Sequence, residues 1–278
     1  MEDKSFKARL IRILIFLVLI IFAVLELYPF LWMIIGSFKN NAEIFVGSWH
    51  IPRVWRWDNF QHAWSSGVSS YLFNSLFVTV VATALSTIIS AFAAYPLARV
   101  KMKLNRVILM MILSGLMLAP QVALIPLYKA LQTLAIYNTY WAMILPDTAF
   151  RIPFTTFLIW SYFLTIPKEL EEAAFADGAG TQKIFWKIIL PVSKPILATS
   201  ILLSARVIWN EFLFALIFVE DNSLKTITVG LKGMISNTET NWGIIIAGMT
   251  LSTAPIIILF LAAQKQFIRG MAAGSVKG

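Results

Sequence analysis

Five polar side chains interrupt otherwise apolar stretches of this chain: Asp147 and Arg151, then Arg206, Asn210 and Glu211. Glu26 is a sixth, nearer the N-terminus. A charge at the middle of a bilayer costs about 2.5–3.5 kcal/mol on insertion scales, so such residues face protein or a wet cavity. Asp147 and Arg151 are spaced i, i+4, on one helix face, where they can neutralise each other. Pro146 and Pro153 bracket them, which frees carbonyls nearby. Two readings stay open: an ion pair that packs its helix, or the lining of a translocation path or gate. Arg206 and Asn210 are one turn apart with Glu211 offset, and either interior polar contacts or a path again fits. The stretch Met110–Met117 is expected to be core packing rather than a gate.

Catalysis finds little support. The chain has no cysteine, which excludes disulfides, thiolate zinc sites and a Cys nucleophile. Its two histidines, His50 and His62, have no close-spaced ligands beside them, so no metal is expected. No convergent nucleophile, acid/base or metal set is visible, and no catalytic residue is assigned. There is no Gly-x4-Gly-Lys-Ser/Thr phosphate loop, so ATP hydrolysis by that route is excluded.

The elements that must hold these residues are membrane spans. The chain has 278 residues, 59% hydrophobic and 13% charged, with a mean hydropathy of +0.77. Disorder is excluded by this composition. The net charge of +9 would suit nucleic acid. The bases fall between apolar runs rather than on one polar face, and no nucleic-acid partner is expected. Six runs are long enough for a helix to cross, at about 20 residues each. They cover approximately 10–35, 71–95, 107–127, 140–163, 196–219 and 242–263. They lack the alternation of a barrel strand, so an all-α integral membrane protein is predicted, as one transmembrane domain over 1–278. The first run is too long for a signal peptide, and no cleavage site follows it. Lys and Arg near the span ends divide 15 to 6. The larger group lies at the N-terminus, between the second and third runs, between the fourth and fifth, and at the C-terminus. This bias predicts both termini in the cytoplasm.

Three connections are long. The outer loop 37–70 holds Trp49, Trp55, Trp57 and Trp64, either an interfacial aromatic belt or a docking surface. The outer loop 220–241 is polar and rich in Thr and Asn. The inner loop 165–191 reads as a helix-turn-helix. Pro167 suits its first turn, and Glu169, Glu171 and Glu172 favour that end through the helix dipole. Gly178 and Gly180 break the helix, and Thr181 is placed to cap a second one running to Pro191. Ala173, Ala174 and Ala179 give a low-profile surface near the break. Insertion into a partner's groove and an ordinary interfacial hairpin are both open.

The same loop resembles a known family. Glu172-Ala-Ala-x-x-Asp177-Gly178-Ala179, followed nine residues later by Ile188-x-Leu190-Pro191, is similar to the EAA motif of ABC importer permeases. Tyr28-Pro-Phe-Leu-Trp32, Ser37-Phe-Lys39, Asn74-Ser-Leu76, Ala93-Ala-Tyr-Pro-Leu-Ala-Arg99, Ile125-Pro-Leu-Tyr128, Trp209-Asn-Glu-Phe212 and the tail Phe267–Gly278 resemble the carbohydrate branch of maltose-permease type. Pro96 departs from the family's more usual Ala. The resemblance covers nearly the whole chain. It implies a bacterial or archaeal plasma (inner) membrane protein that works with a second, different permease chain, two ATPase subunits and an extracytoplasmic binding protein. ATP and Mg would belong to the ATPases, and no cofactor to this chain. It implies an EAA coupling helix at about 168–177 seated in an ATPase cleft, with Glu172, Ala173, Ala174, Asp177, Gly178, Ala179, Leu190 and Pro191 as coupling residues. It places a binding-protein contact in loop 220–241, at Thr226, Thr228, Lys232 and Asn237, and brings the tail 269–278 toward the ATPase interface. A sugar or oligosaccharide is the implied cargo, with glycerol phosphate-type or polyol substrates as the alternative. A secondary transporter is the rival class, but the chain shows no internal repeat and no membrane histidine.

Overall fold

The structure is a computed structural model that describes residues 2–47, 49–235 and 240–275, with the backbone alone at 2–7 and 266–275. Every regular element among the described residues is helical. Four helices are long and apolar enough to cross a membrane: Ala8–Gly36, Asp58–Arg99, Trp141–Phe163 and Trp242–Lys265. Two bent pairs, Asn105–Met117 with Pro120–Thr133 and Thr181–Val192 with Lys194–Trp209, are long enough if each is counted as one span.

The chain forms two compact units. The first comprises 1–68 and 231–253. Its long helix α1 (Glu2–Gly36) leaves Leu10 through Leu31 exposed, a largely apolar rod. Beyond α1 the chain turns in. Ser37, Phe38 and Lys39 are buried, and the Phe38 ring is packed by Trp55, Trp57 and Phe60 at centroid distances of 5.0, 4.7 and 5.1 Å. Asn59 holds this corner by donating to the Ser37 and Lys39 carbonyls at 2.8 and 3.0 Å. Two short helices, α2 (Asn41–Val46) and α3 (Asp58–Ala63), complete the loop.

The second unit comprises 69–230 and 254–278. Its centre is α4 (Ser69–Arg99) against α7 (Trp141–Phe163), with α10 (Lys194–Trp209) beside both. The contact is lined by small residues: Ala82, Ser86, Ser90 and Ala94 on α4, Thr148 and Thr155 on α7, Ser200 and Ser204 on α10. Small side chains let backbones approach closely, which is how helices associate where apolar burial gives no advantage over lipid. Thr155 and Ser204 bond side chain to side chain at 3.1 Å, and Ser90 donates to the Ile152 carbonyl at 3.3 Å.

Two of the predicted runs are not straight. The third divides into α5 (Asn105–Ser114) and α6 (Pro120–Thr133), bent by 99°. Ala119 precedes Pro120, and the proline ring drives its neighbour out of helical backbone; Leu118 and Ala119 are extended. The methionines of this segment are not core: Met110, Met111 and Met117 are 54, 70 and 87% exposed, and α5 buries no residue. The fifth run stops at Trp209 and restarts as the short helix α11 (Leu213–Phe218). The helix α13 (Trp242–Ser275) closes the chain.

Candidate functional site

The loop between α7 and α10 carries the EAA-like motif. Its first helix, α8 (Glu169–Ala176), falls within one residue of the expected 168–177. Glu169, Glu171 and Glu172 occupy the first turn, where the exposed amides favour negative charge. Pro167 lies before the N-cap Lys168, outside the first turn where the sequence suggested it. The end of α8 is a Schellman turn. The Ala179 amide donates to the Ala174 carbonyl at 2.9 Å, and the Gly178 amide to Phe175 at 3.0 Å. Gly178 has φ +76°, the left-handed conformation that a Cβ disfavours. The next helix, α9 (Thr181–Val192), includes a π turn at Phe185–Ile189. Its N-cap is Gly180 with no side-chain bond, so Thr181 is the first helical residue and not a cap.

The motif divides into two faces. Glu172, Ala173, Asp177 and Gly178 are exposed, as is Pro191. Ala174 and Ala179 are buried, and they pack with Tyr95, Phe163, Ile166, Ile184, Phe185 and Ile189; Leu190 joins from the edge. The expected low-profile surface of three alanines is therefore corrected: only Ala173 is on the surface. The Schellman turn brings the residue after Gly178 back against the one three places inside the helix end, so Ala174 and Ala179 meet each other and the core. Phe175, half exposed beside Gly178, is an apolar tip that the sequence reading passed over.

One anchor was also missed. Arg99, the last residue of α4, reaches α8: its Nε lies 3.0 Å from Oε1 of Glu171, with side-chain exposures of 4% and 13%. Its Nη2 donates to the Ile166 carbonyl at 2.7 Å. In the sequence Arg99 counts toward the basic bias of its loop and closes the Ala93–Arg99 motif, with no partner assigned to it. The pair fastens the start of α8 to the end of α4.

The polar residues of the apolar runs separate. Asp147 is buried on α7. No ion pair within 4 Å joins it to Arg151, which lies one turn further along the same helix. Arg206, Asn210 and Glu211 do come together around an open recess of about 540 Å³. Asn210 donates to the Arg206 carbonyl at 2.7 Å. Glu211 instead turns toward α11, accepting from the Phe214 and Ala215 amides at 2.9 and 3.2 Å. It acts there as a cap, and the stop before it leaves amides for it to bind. Loss of a cap costs about 1 kcal/mol. Glu211→Ala is expected to lower thermal stability in detergent by that amount, and Glu211→Gln by less. Unchanged melting of both would remove the capping role.

Residues 220–233 are held against the neighbouring helices rather than forming a solvated connector. Asn74 of α4 donates to the Ser223 and Lys225 carbonyls at 2.7 and 2.9 Å and accepts from the Tyr140 hydroxyl at 2.7 Å. The Ser75 hydroxyl accepts from the Ile227 amide at 2.8 Å. A helix, α12 (Ile227–Gly233), follows. Thr226 is buried, Thr228 donates to the Glu211 carbonyl at 2.8 Å, and Lys232 is exposed; Asn237 lies outside the described residues. Tyr137 donates to Glu220 at 2.9 Å; burial and this bond push its phenol up to about 12.

Residues 86–273 match the family described as binding-protein-dependent transport system inner membrane component. The Probable ABC transporter permease protein YurM of Bacillus subtilis (strain 168) is 53% identical over 251 residues, 90% of this chain and 84% of YurM. The melibiose/raffinose/stachyose import permease protein MelC of the same strain is 34% identical over 278 residues, 99% of this chain and 100% of MelC. Among solved structures, a chain of a bacterial ABC transporter involved in import of the acidic polysaccharide alginate superposes with a TM-score of 0.80 at 25% identity, covering 93% of this chain and 97% of that one. A multi-pass helical protein with a Schellman-closed, EAA-like loop, matched over most of its length by importer permeases, belongs to the family of binding-protein-dependent transport system inner membrane components and is a permease subunit of an ABC importer, not its ATPase.

Proposed function

We propose that this chain forms half of the path for a sugar or oligosaccharide, delivered by an extracytoplasmic binding protein. The path is completed by a second, different permease and driven by two ATPase subunits that hold ATP and Mg. The bent pair α5–α6 counts as one span and α10 as another, giving six, with both termini cytoplasmic. The exposed face of α8, at Glu172, Ala173, Phe175, Asp177 and Gly178, docks in an ATPase cleft. The observation that carries this reading is the anchored, two-faced α8: one face is locked to α4 through Arg99, and the other is bare. A helix so held moves with the span to which it is tied. MelC's name supports the sugar class, as does the alginate transporter; glycerol phosphate-type or polyol cargo is the alternative. Asp147, Arg151, Arg206 and Asn210 are proposed for the path, and Lys232 for binding-protein contact.

Topology is the first test. Ser65 and Gln182 are exposed, and the native chain has no cysteine. Ser65→Cys is expected to react with an impermeant thiol reagent in intact cells, and Gln182→Cys only after lysis. Labelling of Gln182→Cys in intact cells reverses the orientation. For cargo, ATPase activity of the reconstituted complex with its binding protein should rise with the cognate sugar. A rise with a polyol or glycerol phosphodiester alone would overturn the sugar assignment.

A further inference from the structure

The first unit has a recess of about 560 Å³ beyond the end of α1, bounded by Lys39, Glu43, His50, Arg53 and Arg56. Lys39, Arg53 and Arg56 line it together with one carboxylate, Glu43. That carboxylate is already engaged: Glu43 accepts from the Asn40 amide at 3.2 Å through Oε2 and from the Arg53 amide at 3.1 Å through Oε1. Lys39 is 1% exposed and donates to the Gly47 carbonyl at 3.2 Å. The Arg56 Nε is buried with no hydrogen-bond partner, a group that costs free energy until an acceptor arrives. Burial pulls the Lys39 ammonium below its ordinary value, opposed in part by Glu43, and a further anion would favour the charged form.

The rim is apolar. Val46, Ile51 and Val54 line it and are 87, 72 and 59% exposed, and Phe45, Trp55 and Trp57, their neighbours in the chain, are exposed as well. The Trp49 ring stacks on Tyr28 with centroids 3.9 Å apart. Tyr28 is eight residues before the end of α1, or about 12 Å along its axis. The loop therefore folds back beside the last turns of an exposed apolar helix. Amphipathic rings and exposed aliphatics at the end of such a helix sit at the headgroup level of a bilayer.

We propose that this recess binds the phosphate of a membrane phospholipid, with Arg53, Arg56 and Lys39 around the phosphate and the Trp and aliphatic rim against the acyl chains. An anionic headgroup is favoured over a zwitterionic one, since the recess keeps an excess of positive charge after Glu43 is counted. The site is independent of the α8 contact and of the cargo.

The test uses the full-length chain in detergent, with retained lipid read by native mass spectrometry. Phosphatidylglycerol, phosphatidylcholine and inorganic phosphate are the three probes. The wild type is expected to retain phosphatidylglycerol in preference to phosphatidylcholine. Arg53→Gln with Arg56→Gln is expected to weaken that retention by roughly tenfold or more, from the loss of two cations near a lipid surface. Arg53→Lys with Arg56→Lys, which keeps the charge, should retain most of it. Displacement of the lipid by inorganic phosphate assigns the site to free phosphate chemistry; resistance to it assigns the site to the lipid headgroup. Equal retention by the wild type and a folded Gln pair overturns the proposal. If the Gln pair does not fold, salt decides on the wild type: binding through cations must weaken as ionic strength rises, and salt-insensitive retention overturns the proposal. A loss of binding-protein stimulation in the Gln pair that is the same with and without phosphatidylglycerol also overturns it, and places these cations against that protein.

Discussion

Arg99→Gln is expected to uncouple ATP hydrolysis from transport while leaving the spans inserted. The Arg99 guanidinium is almost fully enclosed between the end of α4, Glu171 and the Ile166 carbonyl. Removing one member of a buried pair leaves the other charge without compensation, a loss of about 3–5 kcal/mol. The Arg99 Nε and Glu171 contact is an ion pair without good hydrogen-bond alignment, so the lower part of that range is expected. The effect falls on the anchor of α8. The measurement is ATPase and transport in proteoliposomes, with pull-down of the ATPase subunit. Glu171→Gln should reproduce the loss more weakly. The double variant Arg99→Leu with Glu171→Leu should recover stability, since replacing both partners by apolar groups is often neutral or stabilising. If the double variant regains stability and remains uncoupled, the ion pair transmits force. If Arg99→Gln transports like the wild type, α8 is held by its apolar face alone.

Gly178→Leu is expected to abolish transport where Gly178→Ala reduces it modestly. Both substitutions strain the same left-handed backbone, at about 1–2 kcal/mol. Within this chain a Cβ at Gly178 meets no atom within 4 Å, so neither substitution starts against a neighbour. The two variants should therefore melt alike as the isolated chain. Any difference between them arises in the complex, where overpacking costs about 1–3 kcal/mol and each 1.4 kcal/mol is tenfold in an equilibrium constant. Equal ATPase recruitment and transport by the two variants would leave Gly178 as a helix stop and remove it from the proposed contact. Glu172→Ala, on the exposed face, should leave assembly intact and weaken coupling.

The sequence by itself determined the helical membrane class, the presence of apolar runs long enough to cross, and the approximate bounds of α8. These depend on local chemistry. Hydrocarbon length selects apolar runs of about 20 residues. Acids in a first turn and an Ala-x-x-Asp-Gly-Ala ending are legible within a dozen residues, because capping bonds reach only a few positions. The tertiary structure decided what those elements do with their side chains. Ala174 and Ala179 turned inward because the Schellman turn folds the chain back onto a core built from α4 and α7. Arg99 found Glu171 across 72 positions of chain, a pairing that no local pattern encodes. The third apolar run looked unbroken by composition, yet Ala119 before Pro120 bends it sharply, since hydropathy is blind to backbone geometry. Glu211, one of several embedded charges in the sequence, acquired its capping role only because the helix stops just before it and leaves the amides of α11 unpaired.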